Sequence, residues 1–391
     1  MSHSRMEEGK YCRLVPQCRL RIISVLNAFS SNIQYLPNRK QYPMRYFLVV
    51  VGLLMGSVIS QPAAAVEYQS QQLQSKLLKE TRQYLIALPE GYAQSTEAYP
   101  VVYLLDADEQ FDHMASLLQF LSQGAMPQIP KMIIVGINNN TERMRDYTPT
   151  HTLVLPSGKK GNPKYQQTGG AGLFLDFIEQ ELAPSIHSQL RTNGINVLVG
   201  HSFGGLVAME ALRTDRQLFS AYIAIDTSLW FDSPHYLTQL ENRVEKGDFK
   251  QKQLFMAIAN NPLSPGFGVS SYHRDLNLAF ADKLTKSPPQ GLSFAAKYYP
   301  DETHQSVSHI GLYDGIRHLF KDFAIDIYAE TFSKQQVIDQ YRLLSERFGL
   351  RVTPPQQYLE QLILYSERQQ LSDRKQSLES LKAYFAGVKS N

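Results

Sequence analysis

Ser202 stands in Gly200-His201-Ser202-Phe203-Gly204, a G-x-S-x-G pentapeptide that follows the largely apolar run Ile195 to Val199 and opens the helix-like run Leu206 to Arg213. A serine hydroxyl is a useful nucleophile when it is presented on a sharp turn beside a base. The flanking glycines relieve the crowding of such a turn, and Gly205 lets the helix start lie close to the strand. Main-chain N–H groups at that helix start then face the reacting oxygen. An isolated match also fits an ordinary glycine-rich turn, but a strand before it and a helix after it favour acyl transfer through Ser202.

The base that takes the hydroxyl proton is expected C-terminal to the nucleophile. His304 fits best, in Pro300-Asp301-Glu302-Thr303-His304-Gln305-Ser306-Val307, after the last strand candidate and before the helix Leu312 to Phe320. His309 and His318 fall in or near that helix, and His201 is locked beside the elbow. His273 reaches the cleft only if its segment folds over it. The residue that orients His304 is open. The loop after the strand Leu254 to Ala259 is the usual place for it, and there the chain has Asn260-Asn261. Asp226, directly after the preceding strand, and Glu302 are the acids in reach, and a Ser-His dyad needs neither. An Asn orients an imidazole but does not stabilise its cation as a carboxylate does.

Oxyanion stabilisation is expected from the N–H of Phe203 and that of Ala107, in the turn Asp106-Ala107-Asp108 after the strand Val101 to Leu105. Each such donor is worth about 3 kcal/mol in the transition state. Asp106 and Asp108 come too early in chain order for the triad acid and read as loop braces. Arg145, in Arg143-Met144-Arg145-Asp146-Tyr147-Thr148-Pro149, is the candidate for binding an anionic substrate group. An Arg-Asp pair that pins loops together is the competing reading.

Elements that could position these groups alternate along the chain. Strand candidates are Arg82 to Leu88, Val101 to Leu105, Met132 to Ile137, Val197 to Val199, Tyr222 to Ile225, Leu254 to Ala259 and Phe294 to Tyr299. The central ones are continuous apolar runs, as strands buried on both faces require. Helix candidates between them are Met114 to Leu121, Leu173 to Leu182 (closed by Pro184), Leu206 to Arg213, Leu237 to Val244 and Leu276 to Leu284. The pattern predicts an α/β fold with a mostly parallel central sheet and helices on both faces. The stretch Ser157 to Gly170 lacks an apolar face and reads as a mobile loop. Beyond residue 333 only helical periodicity remains: Val337, Tyr341, Leu344 and Phe348 form one stripe, Leu359, Leu362 and Ile363 another, and Leu378, Leu381 and Tyr384 a third.

Met44-Arg45, the apolar run Tyr46 to Ile59 and Ala63-Ala64-Ala65 have the three parts of a signal peptide cleaved after Ala65. The run is too short and too interrupted for a comfortable membrane span. Residues 1–43 lack periodicity and read as a leader ahead of a start at Met44. Residues 1–65 carry eight Lys or Arg against two Glu, so the total of +3 becomes about −3 for residues 66–391. No basic stripe or binding motif implies a nucleic-acid partner. Both cysteines, Cys12 and Cys18, fall in the leader, so cysteine nucleophiles and Cys-based metal sites are excluded from the remainder. The expected organisation is a leader over 1–43, a signal over 44–65, a catalytic domain over 66–330 and a helical appendage over 333–391.

Taken as a set, Tyr103-Leu104-Leu105-Asp106, Arg143-x-Arg145-Asp146-Tyr147-Thr148-Pro149-Thr150, Gly169-Gly170-Ala171, the elbow Gly200 to Gly205, Ser228-Leu229-Trp230-Phe231-Asp232 and His304-Gln305-Ser306-Val307 resemble the putative esterase family. This is the esterase D and ferric enterobactin esterase branch of the α/β-hydrolases. The resemblance covers roughly residues 70–325, and some relatives carry a helical tail like the segment after 333. It implies a serine carboxylic-ester hydrolase with Ser202 as nucleophile and His304 as base, needing no cofactor or metal. Arg145, Tyr147 and Trp230 are the expected contacts of a small-molecule ester. An acyltransferase using the same acyl-enzyme, and a non-catalytic binding protein docking a partner through the C-terminal helices, are the alternative readings. Export to the periplasm or medium follows from the signal.

Overall fold

The structure, a computed structural model, describes residues 67–124, 126–139, 142–154, 163–261 and 271–387. The expected leader, signal peptide and both cysteines lie outside them, as do residues 155–162 and 262–270. In chain order the elements are β1 (Tyr68–Gln74), β2 (Thr81–Ala87), β3 (Tyr99–Leu105), α1 (Ala107–Leu121), β4 (Ile133–Ile137), α2 (Arg143–Asp146), α3 (Ala171–Phe177), α4 (Ala183–Gln189), β5 (Thr192–His201), α5 (Phe203–Arg213), β6 (Ala221–Ile225), α6 (His235–Lys246), β7 (Asp248–Ala259), α7 (Ser271–Lys286), β8 (Gln290–Tyr299) and α8 (Val307–Leu319). Three further helices follow: α9 (Lys334–Phe348), α10 (Gln356–Arg368) and α11 (Ser372–Ala386).

Eight strands form one sheet in the order β1-β2-β4-β3-β5-β6-β7-β8. The pairs β1/β2 and β2/β4 are antiparallel and the rest are parallel. Strand side chains alternate between the faces, and here both faces are covered. Val102 and Leu104 join a core with Ile223, Ile225, Phe255 and residues of α1 and α8. Val101, Tyr103 and Leu105 join a second core on the other face with Phe174, Leu206, Tyr222 and Phe280. This two-sided burial explains the continuous apolar runs in the sequence. The edge strand β1, YQSQQLQ, is largely exposed and carries no such run, so it has no apolar signal to read.

Pro184 does not close a helix. The chain passes from α3 through a π turn, Ile178–Leu182, into α4, with Pro184 in the first turn of the new segment. A proline is tolerated there because the first N–H groups of a helix need no intrahelical acceptor. Of the loop expected over Ser157–Gly170, Pro163–Tyr165 forms a single 3-10 turn, and Tyr165 stacks on Phe231.

The C-terminal helices are not a separate body. Ala65–Asn391 forms one compact unit, and Tyr341, Leu344, Phe348, Leu359, Leu378 and Leu381 share the core cluster of α8 and the sheet. Phe348 packs on Phe320 with ring centroids 5.0 Å apart, and the Tyr341 hydroxyl donates to the Phe323 carbonyl. On the last stripe Phe385, rather than Tyr384, faces the core, and Tyr384 is exposed. No helix among the described residues is long and apolar enough to cross a membrane.

Candidate active site

Parallel strands that share a direction bring their C-terminal ends to one edge, where open α/β sheets bind ligands. Ser202 follows the last residue of β5, Asp226 follows β6, and His304 lies five residues beyond β8. Ladder pairing keeps these exits level: His201 is opposite Ile225, Ile225 opposite Ala257, and Ala259 opposite Tyr299. The main-chain bonds Ser202 N–H to Ile225 O (2.9 Å) and Asp226 N–H to Ala257 O (2.7 Å) extend the ladder one step past the strands.

Ser202 has φ 60° and ψ −115°, a conformation that costs a non-glycine residue about 1–3 kcal/mol. The turn is tight: a Cβ on Gly200 would stand 2.1 Å from the Gly204 carbonyl oxygen, and one on Gly205 would stand 2.7 Å from Thr227 Oγ1. Glycine at both places lets the strand turn straight into α5.

His304 Nε2 is 2.9 Å from Ser202 Oγ, and His304 Nδ1 is 2.6 Å from Asp226 Oδ2. The acid left open in the sequence therefore has one occupant by geometry. Asp226, fully buried, also accepts the Ala259 N–H at 3.0 Å on Oδ1 and the Asn261 side-chain amide at 3.3 Å on Oδ2. Burial raises its carboxyl pKa, but the neighbouring His273 and His304 outweigh it and hold it well below the usual carboxylate range. Asn260 turns instead to the Pro300 carbonyl, and Glu302 offers its main-chain carbonyl to the Asn261 N–H.

Ala107 and Phe203 are the first residues of α1 and α5, where N–H groups have no intrahelical partner. The two helix starts are neighbours, since a Cβ on Gly204 would stand 3.4 Å from Asp106 Oδ2 and Leu105 Cβ. Both dipoles favour negative charge at this edge. Asp106 braces the turn: Arg143 donates to it through Nε (2.8 Å) and Nη2 (2.9 Å), and the Asp106 N–H donates to the Tyr147 hydroxyl at 3.1 Å.

The expected substrate contacts divide. Trp230 is half-buried at the site, its ring edge-on to Phe203 at 5.5 Å. Tyr147 is fully buried beneath the Asp106 turn, so it supports that turn and offers no surface to a ligand. Arg145 points away, held by Glu80 (2.6 Å) and Asp146 (2.7 Å), which is the loop-pinning alternative. Arg143, two residues earlier, is the arginine that lies beside the site, paired with Asp106 and with its guanidinium 5.5 Å from the Phe203 ring centroid. Facing directions on so short a helix are set by tertiary packing, and the sequence carried no signal for the choice.

Three residues that sequence reasoning set aside or passed over also converge here. Ser228 Oγ is 3.2 Å from Ser202 Oγ. His201 donates from Nε2 to the His304 carbonyl at 2.6 Å, and burial, reinforced by the His304 charge, pushes its pKa down to about 3. His273, in the first turn of α7, does fold over the cleft and brings Nε2 to 3.1 Å from Asp226 Oδ2. Asp226, His273 and His304 each offer a ligand atom, all within 4.8 Å of one another. An ion bound at about 2.0–2.2 Å to nitrogen and oxygen would hold Nδ1 and Oδ2 farther apart than 2.6 Å, so that contact is proton-bridged and the trio does not fit a metal.

This sheet order, with a strained serine between a parallel strand and a helix and a histidine after the last strand, defines an α/β-hydrolase fold. The chain belongs to the "Putative esterase" family, whose profile matches residues 75–262. It is 84% identical to an IroE-like serine hydrolase of Shewanella oneidensis, whose crystal structure aligns over 82% of this chain and 100% of that one with a TM-score of 0.78. Among curated relatives, the ferri-bacillibactin esterase BesA of Bacillus subtilis is 34% identical over 157 residues, 37% of this chain and 53% of that protein. The siderophore triacetylfusarinine C esterase of Aspergillus fumigatus is 31% identical over 155 residues, 37% of this chain and 50% of that protein. The chain thus spans about half the length of the curated relatives it matches.

Proposed function

We propose that the chain is an exported serine hydrolase that cleaves carboxylic esters through an acyl-enzyme on Ser202, with ester-linked siderophores as its substrate class. The observation that carries this reading is the unbroken run Asp226 Oδ2, His304 Nδ1, His304 Nε2, Ser202 Oγ, with contacts of 2.6 and 2.9 Å at a strained elbow. Nδ1–H donates to the carboxylate, which leaves Nε2 as the acceptor of the serine proton.

Ser202 Oγ attacks the ester carbonyl as its proton passes to His304 Nε2. The resulting oxyanion sits against the N–H groups of Phe203 and Ala107. Collapse breaks the bond to the alcohol, which leaves with the proton from Nε2. Water then adds to the acyl-enzyme, gives its proton to Nε2, and the acid departs as Ser202 Oγ recovers that proton. Asp226 fixes the tautomer and stabilises the imidazolium of both steps. The substrate class rests on the names of the relatives and on the Phe203, Trp230 and Arg143 surface beside Ser202, which suits an aromatic, anionic ligand. Export rests on the signal-like segment 44–65.

The test is hydrolysis of p-nitrophenyl acetate and of a panel containing a siderophore lactone, a sugar ester and a short-chain ester, by wild type and Ser202→Ala. Loss of all turnover in a folded variant supports the mechanism, and preference for the lactone supports the substrate class. Undiminished turnover would end the first, and preference for another ester the second.

A further inference from the structure

Two histidines converge on one carboxylate, and only one of them touches the nucleophile. His273 is buried, its Nδ1 has no hydrogen-bond partner among the described residues, and the polar atom beside its Nε2 is Asp226 Oδ2. That 3.1 Å contact is too oblique for a well-directed hydrogen bond. Such contacts in unliganded sites often tighten when the reacting complex forms. The ring stands edge-on to His304, with centroids 5.3 Å apart at 87°. The helix that delivers it is fixed by Asn277, whose amide donates to the His273 and Thr227 carbonyls. A polar ring kept dry costs free energy unless it is used, and the neighbour it is held against is the residue that orients the base.

We propose that His273 is a positioning residue of the acyl-transfer site: its Nε2–H holds the Asp226 carboxylate in the orientation that presents Oδ2 to His304, and takes a share of its charge. The inference rests on the Ser202–His304 reading above. Sharing has a direction. While both imidazoles draw on the carboxylate, His304 keeps less of its field; with His273 gone the full charge falls on His304, which then holds its proton more tightly. The other titratable or charged groups around this pair are His201 from the end of β5, Arg143 from α2, whose field reaches His201, Asp301 and Glu302 in the His304 loop, and Arg274 on α7, which is turned to Asn260 and Asp275.

The experiment compares full-length wild type, His273→Leu, which removes the N–H, and His273→Gln, whose amide can replace it. It reads kcat, KM and the pH dependence of kcat/KM for a chromogenic ester, with thermal unfolding as the control for folding. His273→Leu is expected to lower kcat about tenfold with KM changed less than about twofold, and to move the acid limb to higher pH. His273→Gln is expected to restore both. A folded His273→Leu with wild-type kcat and acid limb would overturn the proposal, as would a folded His273→Gln no better than His273→Leu. If His273→Leu does not fold, His273→Gln decides: kcat within about threefold of wild type supports the proposal, and a tenfold loss overturns it. Failure of the underlying reading is distinct, because wild type would then hydrolyse no faster than Ser202→Ala.

Discussion

Asp226 Oδ2 stands 2.6 Å from His304 Nδ1 although 78 residues separate them and β7 lies between the strands they follow. The acid reaches across one strand because Asp226 leaves β6 with φ 42°. That backbone sends its carboxylate sideways along the edge, over the end of β7, where the Ala259 N–H donates to it.

Replacement of this carboxylate separates a triad from a dyad. Asp226→Asn is expected to lower kcat by about 10³–10⁴-fold, because the amide can also hold His304 in the wrong tautomer and does not stabilise the imidazolium. Steady-state ester hydrolysis reads the effect, and a loss below about tenfold would mean that the Ser-His pair works unaided.

His201 gives the protein an acid sensitivity of its own. Its pKa falls from 6.5 to about 3 in the folded chain, so below 6.5 the unfolded state binds the extra proton. Stability is therefore complete above pH 6.5 and declines as pH falls toward 3, by about 1.4 kcal/mol per pH unit. Asp226, with its depressed carboxyl, adds a further loss below about pH 4. His201→Gln keeps a donor for the His304 carbonyl but does not titrate. Urea unfolding between pH 4 and 7 should show the shallower slope in that variant.

The two arginines of α2 should behave differently. Arg143→Gln leaves buried Asp106 without its bidentate partner and is expected to cost about 3 kcal/mol of stability, and to lower kcat/KM for anionic aromatic esters. Arg145→Gln breaks a partly exposed network, expected to cost roughly 1 kcal/mol with KM unchanged. Parallel kinetics and unfolding curves check both, and a raised KM in Arg145→Gln would restore it as a substrate contact.

Leu344→Ala tests the union of tail and sheet. Leu344 is fully buried in the shared core, and its truncation is expected to cost about 2–5 kcal/mol. Denaturant unfolding should remain one transition reported equally by both parts. Two separated transitions would mean that the tail folds as an independent unit.

What the sequence disclosed follows from how local each signal is. Ser202 was legible because a strand, a glycine-flanked turn and a helix are consecutive in the chain, and His304 because it follows the last apolar run. Asp226 is the acid candidate in the sequence, but Glu302 and a dyad stay open beside it, since the decision depends on a positive φ and on reach across β7, neither of which is written in residue order. Arg143 and Arg145 are chemically alike and two positions apart, so only packing against Glu80 and Asp106 tells them apart. His273 was conditional on a fold-over that no periodicity records. The polar edge β1 had no apolar pattern, and the π turn before Pro184 let a helix pass a residue that ordinarily ends one.

The placement of Leu378, Leu381 and Phe385 in the same cluster as Ile223, Ile316 and Phe323 bears on what the loss of the last helix would expose. The candidate site residues all lie at or before residue 304, yet the helices that close this face of the sheet come last. A chain ending before α11 would keep those residues and leave an open apolar flank where Leu378, Leu381 and Phe385 now pack.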